Sequence, residues 1–328
     1  MSTELNRRNF IKGSLVASAA GVLSTQLGPG TAKADGEPAK PPAAPGSANT
    51  LPLGKIGKLQ VSRMLLGGNL LTHYTHSRDL AYVYKLTAHY NTEAKIIETL
   101  FKAEEHGINT MSMHNPPDAM KTLMKQRKQG GKIQWIICPT ANIDDKMSDY
   151  EYQVKELIDQ GANAIYVWGV RSDPLAAQGK VGLIAKAVEA AKKLNVPSGV
   201  GCHDLNVVRE CEKAQVPADF YIKTFHHHRY QSAPRPEQVK GAYSEVPGYW
   251  CADPNATIET MKTVEKPWLA FKIMAAGAIP PKDAFRYVLE NGADHMLVGM
   301  FDFEIAEDVK IAKTALEGLD KRARPWRS

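Results

Sequence analysis

No segment of this 328-residue chain is both long enough and large-sided enough to span a bilayer comfortably. The mildly apolar run at residues 13–23, GSLVASAAGVL, is short and made mostly of small side chains. Charge of one sign is also scarce. The formal net charge is +6, and Arg7, Arg8, Lys12 and Lys33 against Glu4 supply +3 of it, so the chain beyond residue 34 carries only +3. That excess does not mark a nucleic-acid partner. Cysteine is limited to Cys138, Cys202, Cys211 and Cys251, and no spacing among them dictates a disulfide pairing, so most are expected to be buried thiols. An HExxH zinc motif is missing. What remains is an apolar fraction of 43%, enough for a substantial globular core.

The first residues indicate a compartment. Asn6-Arg7-Arg8-Asn9-Phe10-Ile11-Lys12 precedes the weakly apolar run, and Ala32-Lys33-Ala34 offers a small-residue cleavage site. Paired arginines with an aromatic and an apolar residue behind them resemble a twin-arginine export signal. The expected layout is a signal over 1–34, a Pro/Ala-rich linker over 35–50 and a barrel domain over 51–328. The expected location is periplasmic or extracellular, with the twin-arginine export machinery as a partner.

The folded part is organised around the stretch from Pro267 to Glu304. An apolar run closes on Lys272 and Met274, a small-residue turn Ala275-Ala276-Gly277 follows, an amphipathic segment starts after Pro280-Pro281, and a second apolar run ends at Gly299. This is a strand–helix–strand unit of parallel type. Further apolar runs at Arg63–Gly67, Ile108–His114, Ile133–Pro139, Ala164–Val170, Pro197–His203 and Phe220–His226 bring the total to eight, alternating with helical patterns such as Thr92–His106 and Gly179–Leu194. Eight such units predict a closed (β/α)8 TIM barrel of α/β class, because parallel strands need crossovers and closure removes the edges. Long segments after the first strand, Asn69–Asn91, and after the sixth, His227–Asp253, fall on the catalytic face and predict lids or binding loops.

Leu53-Gly54-Lys55-Ile56-Gly57-Lys58-Leu59 leading into Met64-Leu65-Leu66-Gly67-Gly68-Asn69 resembles the opening of the aldo/keto reductases. The resemblance continues at Glu105-His106-Gly107-Ile108-Asn109-Thr110, at Val170-Arg171-Ser172-Asp173-Pro174 and in the closing 292–309 region. It implies the same barrel and raises the expectation of a nucleotide-dependent oxidoreductase. The family needs a tyrosine acid tuned by a lysine and an aspartate, with a histidine at the carbonyl. Matching Gly107-Ile108-Asn109 to that pattern puts Ser112 at the aspartate, Pro117 at the tyrosine, Cys138 near the lysine and Val170 at the histidine. The resemblance therefore implies a reused scaffold.

Polar residues gather instead at the predicted strand ends: Asn69, His114, Arg171, His203 with Asp204, His226-His227-His228, Lys272, and Asp302 with Glu304. Imidazoles from separate strand ends can converge on one ion, so His114, His203 and His226 or His228 form a candidate site for a divalent metal ion, Zn²⁺, Mn²⁺ or Fe²⁺. Asp204 or Glu304 would complete it or move protons. Strand alternation predicts Ala270, Lys272 and Met274 inside the barrel, with Leu269, Phe271 and Ile273 against helices, and turns Lys223 away. A barrel lysine without a partner loses its charge and becomes a nucleophile for carbonyl carbon. Gly277, Gly299 and Asn69 are the expected ligand or cofactor contacts. Arg229, Tyr230, Tyr243, Tyr249 and Trp250 in the sixth loop suit a sugar-like small-molecule substrate. The functional expectations are a metal-assisted lyase, isomerase or hydrolase on a hydroxy-carbonyl or carbohydrate-like substrate, a nucleotide- or flavin-using oxidoreductase, a Schiff-base aldolase acting through Lys272, or a non-catalytic binding protein.

Overall fold

All eight apolar runs become strands, and the strands close on themselves. The structure, a computed structural model, describes residues 50–319 and 321–328; the expected signal and nearly all of the linker lie outside them. An antiparallel hairpin of β1 (Leu53–Ile56) and β2 (Leu59–Ser62) comes first. The barrel strands are β3 (Met64–Gly67), β4 (Thr110–His114), β5 (Gln134–Cys138), β6 (Ala164–Val167), β7 (Ser198–Cys202), β8 (Phe220–Thr224), β9 (Trp268–Phe271) and β10 (His295–Val298). Each pairs in parallel with the next, and β10 returns to β3 in register Met296↔Met64. Several strands stop short of their apolar runs. β6 ends at Val167 instead of Val170 and β9 at Phe271 instead of Met274, because there the chain leaves the ladder to build the mouth.

Crossovers are helical: α1 (Tyr82–Tyr90), α2 (Glu93–Glu105), α3 (Pro117–Lys128), α4 (Ser148–Asp159), α5 (Gly169–Ala177), α6 (Val181–Lys192), α7 (Leu205–Lys213), α8 (Pro254–Thr263), α9 (Pro281–Glu290) and α10 (Ile305–Leu316). Their starts follow from local chemistry. The Thr92 and Asp253 side chains accept from Lys95 N and Ala256 N, and proline opens α3, α8 and α9 where its missing N–H costs nothing. Among the described residues no helix is long and apolar enough to cross a membrane.

The apolar residues divide into two clusters. The larger lies between strands and helices and includes Met64, Trp135, Trp268 and Ala270. The smaller fills the barrel with Leu65, Ile136, Phe220, Ile222, Leu269 and Leu297, and Ile56, Leu59 and Val61 of the hairpin plug its base. This reverses the alternation expected for β9, since Leu269 and Phe271 belong with the interior and Ala270 with the helices, while Ile273 beyond the strand packs with the helices as expected. Lys272 still reaches the mouth because its φ of +55° turns the chain out of the strand and breaks the two-residue period. Lys223 does point away from the lumen; it is buried, and its Nζ donates to Thr224 O at 2.8 Å. All four cysteines are buried and unpaired.

A candidate active site at the barrel mouth

The C-terminal strand ends surround a cavity of about 570 Å³ whose wall includes Asn69, His114, His203, Lys272, Gly277, Gly299 and Glu304. That volume suits a small organic ligand. Trp168, Tyr243, Trp250 and Phe271 make much of the wall apolar and aromatic. Gly277 holds a φ of +82° and its missing side chain would face open space, so the turn needs glycine for its backbone. Gly68 is needed for a different reason: a Cβ there would lie 2.2 Å from Met113 Cβ.

Lys272 is the group around which the electrostatics turn. Among the described residues its amine has no hydrogen bond or ion pair; Nζ lies 5.5 Å from the Trp250 ring centre and 5.7 Å from that of Phe271. Lys272 is half-buried, and its amine keeps access to the cavity. Burial pushes its pKa down from 10.5 to about 7, against a smaller upward pull from the Glu245 carboxylate. Glu245 is delivered by the loop after β8, where Ser244 and Tyr249 bridge in antiparallel fashion, and its Oε1 meets His76 Nδ1 at 2.6 Å. Burial raises the Glu245 pKa, yet the hydrogen bond to His76 and the nearby Lys272 outweigh it and leave the carboxyl below its usual range. Its other oxygen is buried beside Trp250 Nε1 without a well-formed hydrogen bond.

The histidines do not converge as expected. His226 Nδ1 donates to His227 O at 2.9 Å and its Nε2 accepts from Trp250 N at 2.9 Å, so both ring nitrogens are engaged; burial pushes its pKa down to about 3. His228 Nε2 bonds Cys251 O at 2.8 Å, and neither ring lines the cavity. These imidazoles pin the loop after β8 to the barrel. Only His114 and His203 of the expected ligands reach the cavity wall. Among the described residues no group of three or more His, Cys, Asp or Glu is placed to hold a metal ion, which corrects the expected ligand set of His114, His203, His226 and His228. The His114 ring stacks on Trp168, 2° from parallel with centroids 5.8 Å apart.

Asp204 was expected to move protons. It is instead the N-cap of α7, its Oδ1 accepting from Asn206 N at 2.9 Å, and it lies outside the cavity wall. Arg171 donates to Thr140 O at 2.8 Å and Asp302 accepts from Tyr90 Oη at 2.6 Å, so both serve the rim. Glu304 stays at the wall with Oε2 accepting from Phe301 N at 2.8 Å.

Four contributors escape sequence reasoning: Glu245, His76, Asp173 and Arg78. Arg78 ties the loop after β3 to the one after β8 through Ser232 Oγ, and to the turn after β9 through Ala275 O at 3.1 Å. The aromatic richness of residues 227–253 points to a lid, but nothing in their order singles out Glu245 as the residue that enters the cavity.

Residues 4–24 match the model of the twin-arginine translocation pathway signal sequence. No curated protein matches the chain. Among solved structures the barrel is similar to a putative aldo-keto reductase from Pseudomonas aeruginosa, at 16% identity and TM-score 0.54 over 82% of this chain and 98% of that one. It is also similar to an aldo-keto reductase from Bacillus halodurans in its holo form, at 11% identity and TM-score 0.54 over 84% and 98%. A Gox0644 mutant in complex with NADPH matches at 13% identity and TM-score 0.53 over 83% and 96%. At such identities the likeness shows the fold alone. The chain is thus an eight-stranded β/α barrel of aldo-keto-reductase-like fold, with an N-terminal signal that directs export by the twin-arginine route to the periplasm or beyond.

Proposed function

We propose that the barrel mouth is the active site of an exported enzyme that acts on a small hydroxy-carbonyl, sugar-like compound through the amine of Lys272. One observation carries this reading: a lysine enters the cavity with no ion pair or hydrogen bond to its amine among the described residues, and aromatic rings stand around it. An amine whose pKa has fallen to about 7 is substantially neutral near neutral pH, with its lone pair free to attack carbonyl carbon. Attack gives a carbinolamine, a proton from solvent and departure of its hydroxyl as water give an iminium, and the iminium draws electrons from the adjacent bonds. Glu245 supports the returning positive charge, and the aromatic walls hold the carbon face of a polyol while keeping bulk water out. Backbone at Gly277 and Gly299, with the Asn69 amide, offers hydrogen bonds to its hydroxyls.

The test is reductive trapping. Borohydride added to the protein with dihydroxyacetone or a small panel of ketoses should leave a stable adduct on Lys272, read by peptide mass spectrometry, and Lys272→Met should abolish it. Absence of any adduct across the panel refutes the reading.

A second reading, an oxidoreductase using a nicotinamide nucleotide, is favoured by the NADPH complex of the Gox0644 mutant. The residues fit that chemistry poorly. Ser112 and Pro117 occupy the positions matched to the reductase aspartate and tyrosine, and Pro117 is the first residue of α3, with no proton to give. A fluorescence titration with NADPH separates the two readings, since binding at the Gly277 and Gly299 loops supports the oxidoreductase.

A further inference from the structure

We infer that His203 is the proton carrier for the Lys272 reaction, with Asp173 as the positioning residue that sets its tautomer; the inference rests on the lysine reading above. Asp173 sits beyond β6 in α5 and accepts three hydrogen bonds: from His203 N at 3.0 Å, from Asp204 N at 3.1 Å and from the His203 ring at Nδ1, 2.8 Å. A carboxylate has only acceptors to offer, so the ring must donate Nδ1–H and leave the lone pair on Nε2. Nε2 has no hydrogen-bond partner among the described residues, and the ring belongs to the cavity wall.

The other imidazoles are less suited: His114 also lines the cavity, stacked on Trp168, but among the described residues no carboxylate fixes its tautomer. Both nitrogens of His226 are taken, and so are those of His227, by Asp283 at 3.1 Å and by Arg229 N at 3.0 Å. His76 is held by a loop glutamate whose second oxygen is itself unsatisfied. His203 directly follows the last residue of β7, and its carboxylate is anchored by two backbone amides, so its lone pair is aimed by rigid structure. It shares a neighbour with the amine: the Phe271 ring centre lies 5.6 Å from the His203 ring and 5.7 Å from Lys272 Nζ. Tyr243 covers the outer side of the imidazole at 4.7 Å.

The chemistry balances without an oxidant or reductant. In the iminium of a β-hydroxy-carbonyl compound, Nε2 takes the hydroxyl proton as the Cα–Cβ bond breaks. The electron pair of that bond moves into the iminium, giving an enamine and a free aldehyde. Nε2–H returns the proton to the enamine carbon, and water then releases the second product and regenerates the amine. With a substrate that has no bond to cleave, the same nitrogen takes the α-proton of the iminium, so the enzyme exchanges that hydrogen with solvent.

Dihydroxyacetone in D₂O is therefore the probe, followed by proton NMR alongside borohydride trapping. Wild-type protein should trap the probe on Lys272 and exchange its carbon-bound hydrogen. His203→Gln should still trap while exchange falls about 100-fold or more, the usual scale for a lost proton carrier. Asp173→Asn should lower exchange by about 10-fold or more, and histidine ¹⁵N NMR should show the single Nδ1–H tautomer of the wild type lost. Exchange at the wild-type rate in His203→Gln, or a wild-type His203 protonated at Nε2, overturns the assignment while leaving Lys272 in place. A wild type that neither traps nor exchanges overturns both.

Discussion

Replacing Lys272 by methionine should make the protein more stable at pH 6 and leave its stability little changed near pH 10.5. Methionine keeps the length of the aliphatic stem and removes the amine. In the folded state burial lowers the amine's pKa from 10.5 to about 7, so between those values the unfolded chain binds a proton that the folded chain does not. Stability contributed by this site therefore rises with pH through that window. Below pH 7 both states are protonated, and the folded state carries the whole cost of an enclosed charge. Each tenfold change in proton affinity is about 1.4 kcal/mol, which sets a ceiling of about 5 kcal/mol. Water in the cavity screens part of it, and about 2–3 kcal/mol is the working expectation. At roughly 2 °C per kcal/mol for a chain of this size, the variant should melt about 4–6 °C above wild type at pH 6. Thermal melts and urea titrations at pH 6, 8 and 10.5 measure the difference. If the variant gains the same amount at every pH, packing explains it, and if it loses stability at pH 6 the enclosed-charge argument is wrong.

Glu245→Gln removes the carboxylate that holds the Lys272 pKa up, so the midpoint for labelling Lys272 with an amine reagent should move to lower pH; an unchanged midpoint refutes the coupling. His226→Ala strips two hydrogen bonds from a fully buried ring and should cost about 2–4 kcal/mol in a denaturant titration. A Cβ at Gly199 would lie 2.4 Å from the Phe220 ring inside the barrel, so Gly199→Ala should cost about 1–3 kcal/mol through overpacking, read as a lower denaturation midpoint. Replacing Arg7 and Arg8 together by lysine should stop export, with precursor accumulating in the cytoplasm by immunoblot.

Residue order alone carries the scaffold and the compartment. Parallel barrel strands are buried on both faces, so each shows as an apolar run, and each crossover shows a helical period; both signals are local, and Trp268–Phe271 and His295–Val298 appear where the two runs of the 267–304 stretch place them. Asn69, His114, His203, Lys272, Gly277, Gly299 and Glu304 reach the cavity because a barrel sends the residues after its strands to one end. What each of them does there is decided by tertiary contact. His203 and His226 look alike in the chain, yet one meets Asp173 thirty positions away and keeps a lone pair for the cavity, while the other spends both nitrogens on backbone. Lys272 enters the cavity through a positive φ that no two-residue period foretells, and Glu245 joins it only because a long loop folds back over the mouth to His76. Periodicity reports which face of an element is apolar, whereas the direction of a side chain beyond the element's end depends on partners that only the closed barrel brings near.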